Sequence, residues 1–263
     1  MKNTKEIIKL ILLIRKKLDV LNYYWSSKIN KYNLKGKNNS NPVTILDLKA
    51  EKLIRKYIEK SYPNHSIYGE ELRPKIKDKT IYSWIIDPID GTKNLIMGFS
   101  HWSNLIGFNI NNKPVIGFAN FPILKKFYLA YDAKTYVFDN KLRSKKLFTN
   151  QKRTRVNKAK IAINTFNTVK NKKIFNFFKN FDGIFKITNA DAYNSCLIAE
   201  GKIDLYIETG LKKVDILPLI PIIENSGGVI TDWRGKKNFL SGDIIVSANK
   251  VLHKNFLKKL KQK

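Results

Sequence analysis

The stretch WIIDPIDGTKN, residues 84–94, decides the fold and raises the question of function. Its apolar opening has the character of a buried strand, and that run ends in two carboxylates, Asp87 and Asp90. Proline lacks a backbone donor and has a fixed φ, so we expect the strand to end and the chain to turn at Pro88. Such a turn would direct both carboxylates and the carbonyl oxygen of Ile89 toward one point.

Oxygen ligands of this kind prefer Mg²⁺ or Mn²⁺ over zinc. The next residues are Gly91 and Thr92, which permit close backbone approach and present N–H groups at a helix start, where anions bind. The pattern predicts a divalent-metal site beside a phosphate-binding turn. Taken alone, the segment DPIDG at 87–91 is also typical of an ordinary turn, which is the alternative interpretation.

Further acids end apolar runs or open helices elsewhere in the chain. They are Asp47, the pair Glu70-Glu71, and Asp215. Taken singly, Asp47 has the properties of a helix N-cap and the glutamate pair those of a solvated surface. Their occurrence together with the DPIDG segment favours a shared metal site. The three histidines, His65, His101 and His253, lie far apart in the sequence, which indicates against zinc.

Composition predicts a globular protein with a large core, because 43% of the 263 residues are hydrophobic and 12% aromatic. The single cysteine, Cys196, excludes an internal disulfide and suits a reducing cytoplasm. The apolar run at 7–14 is short and interrupted by Lys9, so we interpret it as part of an amphipathic helix and expect no membrane span.

The formal net charge of +29 admits two interpretations. One is a nucleic-acid-binding protein; the other is a lysine-rich background without a dedicated role. Lysine is spread along the whole chain, and no zinc-finger, basic-zipper or RNA-binding motif is present, so we favour the second interpretation. A positive surface would still attract small anionic molecules.

Hydrophobic periodicity and turn residues predict a mixture of helices and strands. The predicted helices are 4–30, 44–61, 167–180, 191–200, 215–226 and 250–261, and the predicted strands are 81–86, 103–110, 114–120, 127–131, 160–164, 183–187, 203–208, 229–233 and 243–249. We assign 133–157 to strand and loop, and 35–41 to a mobile loop. Helices mixed with antiparallel strands in the first half, and alternating with strands in the second, predict a layered α/β protein.

The motifs resemble those of the inositol monophosphatase family. They are a Gly-Glu-Glu at 69–71, an Asp-Pro-Ile-Asp-Gly-Thr at 87–92, a Pro-Val-Thr-x-x-Asp at 42–47, and Asp215 followed by the glycine pair 227–228. Their order and spacing match over nearly the whole chain. The resemblance implies an α-β-α-β-α sandwich forming one functional unit, with a subdomain at 1–150 carrying most metal ligands and one at 151–263 carrying Asp215 and substrate contacts.

The finer pattern is most similar to the histidinol-phosphatase branch of the family. The segment that indicates this best is GLKKVD, residues 210–215, running into the helix that contains PIIE at 221–224. The resemblance implies hydrolysis of histidinol phosphate in histidine biosynthesis. Alternatives are inositol 1-phosphate, a sugar bisphosphate or 3′-phosphoadenosine phosphate as substrate, and a non-enzymatic relative that binds nucleic acid through its basic surface.

The resemblance also implies roles for individual residues, together with a homodimer. Two or three Mg²⁺ ions, with Mn²⁺ as an alternative, would be held by Glu70, Asp87, the Ile89 carbonyl, Asp90 and Asp215. Catalysis would involve Glu70, Thr92 and Asp47, the last two orienting and deprotonating the attacking water, while the N–H groups of Gly91 and Thr92 hold the phosphate. Expected substrate contacts are Asp191, Glu208 and Lys37; the alternatives are a plain strand-end charge for Glu208 and a surface lysine for Lys37.

Overall fold

A computed structural model describes residues 4–26, 43–179 and 181–261 of the chain. The helices in these ranges are α1 (Thr4–Ser26), α2 (Ile45–Ser61), α3 (Thr92–Ile96), α4 (Phe166–Lys170), α5 (Lys172–Lys179), α6 (Ala192–Ala199), α7 (Lys213–Ile216), α8 (Leu219–Glu224) and α9 (Lys250–Lys261). None of them combines the length and apolar character that crossing a membrane requires.

The strands form two sheets. They are β1 (Ser66–Gly69), β2 (Tyr82–Asp90), β3 (Ser103–Ile110), β4 (Lys113–Phe121), β5 (Lys126–Tyr131), β6 (Lys134–Asp139), β7 (Ser144–Lys146), β8 (Ile161–Ile163), β9 (Phe185–Ile187), β10 (Leu205–Glu208), β11 (Val229–Thr231) and β12 (Ile244–Ser247). The first sheet follows chain order from β1 to β7, with β1 parallel to β2 and the remaining pairs antiparallel. The second has the order β11-β12-β10-β8-β9.

Alternation along the strands produces the layers. In β3, Leu105 faces the core between the two sheets, whereas Ile106 faces the core beneath α1 and α2. In β10, Tyr206 faces the same intersheet core, which α6 and α8 fill, and Ile207 faces the outer core under α5 and α9. Successive side chains on a strand point to opposite faces, so both sheets are covered on both sides. The predicted α-β-α-β-α sandwich is confirmed.

Strand β2 differs from the prediction, because it continues through Pro88 instead of leaving the sheet there. Asp87 pairs with Leu105 and Asp90 with Ser103, so β2 has one residue more than β3 between these pairs. This is a β-bulge, which accommodates a proline that has no N–H to donate. The Pro88 carbonyl accepts a hydrogen bond from Nδ2 of Asn104 on β3, at 2.7 Å. A bulge within the strand, and not a turn that ends it, therefore sets the positions of Asp87 and Asp90.

Two predicted helices are each divided in two. The helix predicted at 167–180 is α4 and α5, and the one predicted at 215–226 is α7 and α8, which separate at Pro218. Pro218 packs against glycines of the first sheet: a Cβ on Gly107 would lie 3.2 Å from the Pro218 Cα, and one on Gly117 would overlap the Pro218 carbonyl oxygen. These glycines allow α8 to begin directly against the sheet.

Helix α2 confirms its predicted start, since Thr44 is the N-cap and Asp47 completes a capping box. Ile54 and Ile58 are fully buried on its inner face, whereas Leu48 is only half-buried.

Buried His253 makes stability depend on pH. Its ring lies between the hydroxyls of Thr231 and Ser247, at 2.8 and 2.9 Å, and burial lowers its pKa to about 4. The unfolded chain binds this proton near pH 6.5, so protonation favours unfolding at lower pH. We expect the free energy of unfolding contributed by His253 to be unaffected above pH 7 and to fall by about 2 kcal/mol between pH 7 and 5.

Urea unfolding of the wild type and of His253→Gln at both pH values measures this effect. The difference between the two proteins isolates His253 from other titrating groups. An equal loss of stability in both would contradict the assignment.

Candidate metal centre and active-site cleft

Three carboxylates from separate parts of the chain come together at one point. Glu70 follows β1, Asp87 lies in β2 and Asp215 lies in α7, and one carboxylate oxygen of each is within 4.8 Å of the others. Asp87 is almost fully buried, whereas Glu70 and Asp215 are partly exposed. Three of the sequence-predicted acids therefore converge although up to 145 residues separate them (215 minus 70), and Asp90 lines the same cavity outside this group.

The bulge of β2 fixes the directions of its two aspartates. One oxygen of Asp87 accepts the backbone N–H of Ile89 at 3.0 Å. Asp90 accepts the Ser103 hydroxyl at 3.1 Å and the backbone N–H of Ala192 at 3.0 Å. Ala192 opens α6, so Asp90 joins the first sheet to the helices of the intersheet layer.

The crowded carboxylates make their ionised forms unfavourable. Burial, followed by the charges of Glu70 and Asp215, raises the pKa of Asp87 well above its ordinary value. Burial and the charges of Asp191 and Asp215 do the same to the pKa of Asp90. Burial and the Glu70 charge raise the pKa of Asp215 to about 7. A site of this kind has an excess of negative charge that a divalent cation would compensate.

Lys212 contributes a cation to this cluster. Its ammonium group lies 2.6 Å from Oε1 of Glu70, and its side chain is 54% exposed. The Lys212 backbone N–H also donates to Asp215 at 2.7 Å, which fixes that carboxylate at the start of α7. One exposed ammonium leaves most of the cluster's negative charge uncompensated.

Asp47 and Thr92 form a hydrogen-bonded pair at the edge of the cluster. The Thr92 hydroxyl lies 3.0 Å from Oδ1 of Asp47 and 3.1 Å from the Ile89 carbonyl oxygen. The other Asp47 oxygen accepts the backbone N–H and the hydroxyl of Thr44. Burial raises the pKa of Asp47 above its ordinary value, and the hydrogen bonds from Thr44 oppose that shift.

Asp191 and Glu208 line the same cleft and share Asn164, whose side-chain amide donates to both. Asp191 also accepts Nδ2 of Asn94 at 2.8 Å. Gly91 has φ +82°, and a Cβ there would lie 2.7 Å from Oδ2 of Asp191. Glycine at 91 therefore satisfies both a left-handed backbone and the close approach of this carboxylate.

These residues line one cavity of about 650 Å³. The sequence-predicted site residues in its wall are Glu70, Asp87, Ile89, Asp90, Gly91, Thr92, Asp191, Glu208 and Asp215. Asp47 is nearly fully buried behind Thr92. Lys37 lies outside the described residues, as does the whole loop predicted at 35–41.

Sequence reasoning missed Glu51, which supports the Glu70 segment from α2. Its carboxylate accepts the backbone N–H groups of Glu71 and Leu72, at 2.7 and 3.3 Å, and pairs with Arg55 at 2.7 Å. A signal was present: Asp47, Glu51 and Arg55 repeat every four residues and so lie on one face of the helix. Charged residues on the face that also carries buried Ile54 and Ile58 indicate a structured polar contact.

The donor set fits a hard divalent cation. The converging side-chain atoms are carboxylate oxygens, and no histidine or cysteine lines the cavity among the described residues. Oxygen-only coordination is typical of Mg²⁺ and Mn²⁺.

Comparison with known proteins agrees with this geometry. The sequence profile described as "Inositol monophosphatase family" matches residues 3–263. The chain belongs to the inositol monophosphatase family. Family membership makes it a relative of metal-dependent phosphatases, typically Mg²⁺-dependent, and is consistent with the carboxylate cluster.

The names of curated proteins similar to this chain point to more than one substrate. The chain is 33% identical to the bifunctional phosphatase IMPL2 of Arabidopsis thaliana over 79% of its own length and 59% of that protein. It is 29% identical to histidinol-phosphatase of Chlorobaculum parvum, over 84% of each chain. It is 30% identical to human inositol monophosphatase 1, over 83% of this chain and 81% of the human one.

Solved structures of the inositol monophosphatase family show the same fold. The extragenic suppressor protein suhB from Bartonella henselae superposes with a TM-score of 0.85 at 21% identity, covering 98% of this chain and 99% of that one. At this identity the likeness concerns the fold alone.

Proposed function

We propose that the protein is a Mg²⁺-dependent phosphomonoesterase that converts histidinol phosphate to histidinol and inorganic phosphate. The observation that carries the choice of substrate is Oε2 of Glu208, which is buried and has no hydrogen-bond partner among the described residues. Glu208 lines the cleft beside Asp191. An unpaired buried carboxylate oxygen is costly unless a ligand supplies a donor or a positive charge.

The ammonium group of histidinol phosphate would supply both. Burial and the Asp191 charge raise the pKa of Glu208 well above its ordinary value, so the folded protein disfavours an uncompensated negative charge on this carboxyl group. An inositol hydroxyl would offer a donor without charge. Inositol 1-phosphate, sugar bisphosphates and 3′-phosphoadenosine phosphate therefore remain second choices.

The proposed metal ligands are Glu70, Asp87, the Ile89 carbonyl, Asp90 and Asp215, for two or three ions. Bound Mg²⁺ would supply Lewis-acid polarisation of the phosphate and a lowered pKa of coordinated water. Glu70, Asp87 and Asp215 already have ligand atoms close together, which supports a shared site. The backbone N–H groups of Ile89 and Lys212 hold the carboxylates of Asp87 and Asp215, whereas Asp90 is held by Ser103 and Ala192 of neighbouring elements.

Thr92 and Asp47 would position and deprotonate the attacking water. The existing hydrogen bond between the Thr92 hydroxyl and Asp47 provides a path for the proton, and the raised pKa of buried Asp47 suits a general base. The backbone N–H groups of Gly91 and Thr92 would hold phosphate oxygens. The proposal also includes a homodimer, a cytoplasmic location and the two subdomains at 1–150 and 151–263, one for each sheet.

A phosphate-release screen with Mg²⁺ tests the proposal. The substrates are histidinol phosphate, inositol 1-phosphate, fructose 1,6-bisphosphate and 3′-phosphoadenosine phosphate, each with and without EDTA. We expect the highest kcat/KM for histidinol phosphate and no release with EDTA. A higher kcat/KM for another ester would overturn the substrate, and salt-sensitive RNA binding without any phosphate release would favour the nucleic-acid alternative.

Asp215→Asn tests the metal assignment separately. Removing this charge should weaken Mg²⁺ binding by about 10-fold or more, because one ligand loses its negative charge. Calorimetric titration with Mg²⁺ measures the change, and Asp243→Asn, in the loop before β12, is the control. An unchanged affinity would count against Asp215 as a ligand.

A further inference from the structure

Asn164 lies where the carboxyl ends of β8 and β10 meet at the wall of the cleft. It directly follows β8, and β8 pairs in parallel with β10, with Ile163 opposite Ile207. Asn164 is therefore the register neighbour of Glu208, at the carboxyl ends of adjacent parallel strands. Both residues are more than nine-tenths buried. Such ends of parallel strands are where α/β proteins place ligand contacts.

The Asn164 side chain uses its full hydrogen-bonding capacity. Its amide nitrogen donates one hydrogen to Oδ1 of Asp191, at 2.7 Å, and the other to Oε1 of Glu208. Its amide oxygen accepts the backbone N–H of Asp191 at 2.9 Å and Nδ2 of Asn194 at 3.3 Å. No shorter or acidic residue could bridge two carboxylates in this way.

Asp191 requires this support, because its backbone has φ 42° and ψ −128°. A non-glycine residue in that region is strained and persists only where surrounding contacts determine it. Asn164 contacts both the backbone N–H and the carboxylate of Asp191, and Asn94 holds the second carboxylate oxygen. These contacts fix the Asp191 carboxylate, which shares the Asn164 amide with Glu208 in the wall of one cavity.

We propose that Asn164 is a specificity-determining positioning residue, which holds Asp191 and Glu208 as a pair so that Oε2 of Glu208 is left to receive the ammonium group of a cationic substrate. This inference rests on the proposed function and deepens it. One amide satisfies one oxygen of each carboxylate, and Oε2 of Glu208 has no hydrogen-bond partner among the described residues. A cationic group would supply Oε2 with both a hydrogen-bond donor and a positive charge, whereas a neutral alcohol would supply a donor alone.

The test compares an amine-bearing ester, histidinol phosphate, with a neutral one, β-glycerol phosphate. Asn164→Ser removes the bridge, and we expect kcat/KM for histidinol phosphate to fall by about 30-fold, mainly through KM, because charged-group hydrogen bonds are lost. For β-glycerol phosphate we expect a change below about threefold. Calorimetric Mg²⁺ affinity should be unchanged. Asn167→Ser, on an exposed residue of the same cavity wall, is the matched control.

Asn164→Asp is a second variant in case the serine protein does not fold. It keeps the shape of the Asn164 side chain and loses its amide donor, and we expect the same selective loss of kcat/KM for histidinol phosphate. Equal losses for both esters, or weaker Mg²⁺ binding, would reveal a merely structural role and overturn the inference. Failure of the proposed function is distinguishable, because the wild type itself would then show no preference for histidinol phosphate.

Discussion

Replacing Asp90 with asparagine is expected to reduce turnover by on the order of 10³-fold or more while leaving the fold intact. The asparagine would keep a side-chain oxygen to accept the Ser103 hydroxyl and the Ala192 N–H, which are the two contacts that hold Asp90 in the bulge. The shape is preserved and the negative charge is lost. A site that depends on carboxylates to hold a divalent cation should not tolerate that loss.

Asp90→Asn should not lose stability although it loses turnover. Burial and the charges of Asp191 and Asp215 raise the pKa of Asp90, so the ionised form is less favourable in the folded protein than in the unfolded chain. That penalty is present above the ordinary pKa and grows as the pH rises. A neutral asparagine removes it, and the metal-free variant should melt no lower than the wild type at pH 7.5.

Phosphate release at saturating Mg²⁺ and metal-free melting curves measure both effects. Asp182→Asn, on an exposed residue of the second half of the chain, is the control and should change neither. A variant at position 90 that keeps most of its turnover at saturating Mg²⁺ would remove Asp90 from the proposed site. A lower melting temperature would show that the residue is needed for folding.

The parts of the site that could be predicted from sequence are those marked by a break in a local pattern. Asp87 and Asp90 end an apolar run, and Asp215 follows a glycine-led loop and opens a helix, so each stands out without knowledge of its neighbours. Acids at the ends of buried strands have few structural reasons to be there. That they lie in one cavity is a property of the fold, and we expected it only from the family resemblance.

The parts that sequence reasoning missed depend on contacts between distant segments. Asn164 follows an apolar run of sequence just as Asp87 does, but its partners lie on other elements, and only the register of β8 against β10 brings it beside Glu208. Pro218 interrupts a helical pattern, and the structure explains it by the glycines at 107 and 117, which lie on two neighbouring strands. Pairing across strands is not encoded in local periodicity.

Gly69 offers a test of how the Glu70 segment is held. A Cβ at this position would overlap the carboxylate of Glu51, which lies directly against the glycine backbone. That carboxylate accepts two backbone N–H groups of the residues that follow and pairs with Arg55. A side chain at 69 must displace Glu51, and displacement would release the loop that carries Glu70.

Gly69→Ala is therefore expected to lower the free energy of unfolding by about 3 kcal/mol, because overpacking and a disrupted buried ion pair add together. Mg²⁺ affinity should fall by about 10- to 100-fold, since the support of a ligand is lost.

Gly98→Ala is the matched control: its φ of +77° makes alanine strained, but its Cβ would meet no atom within 4 Å. That control should cost about 1 kcal/mol and leave Mg²⁺ binding unchanged. Equal effects of the two alanines, measured by urea unfolding and calorimetry, would exclude displacement of Glu51 as the cause of the loss and, with it, Glu51 as the support of Glu70.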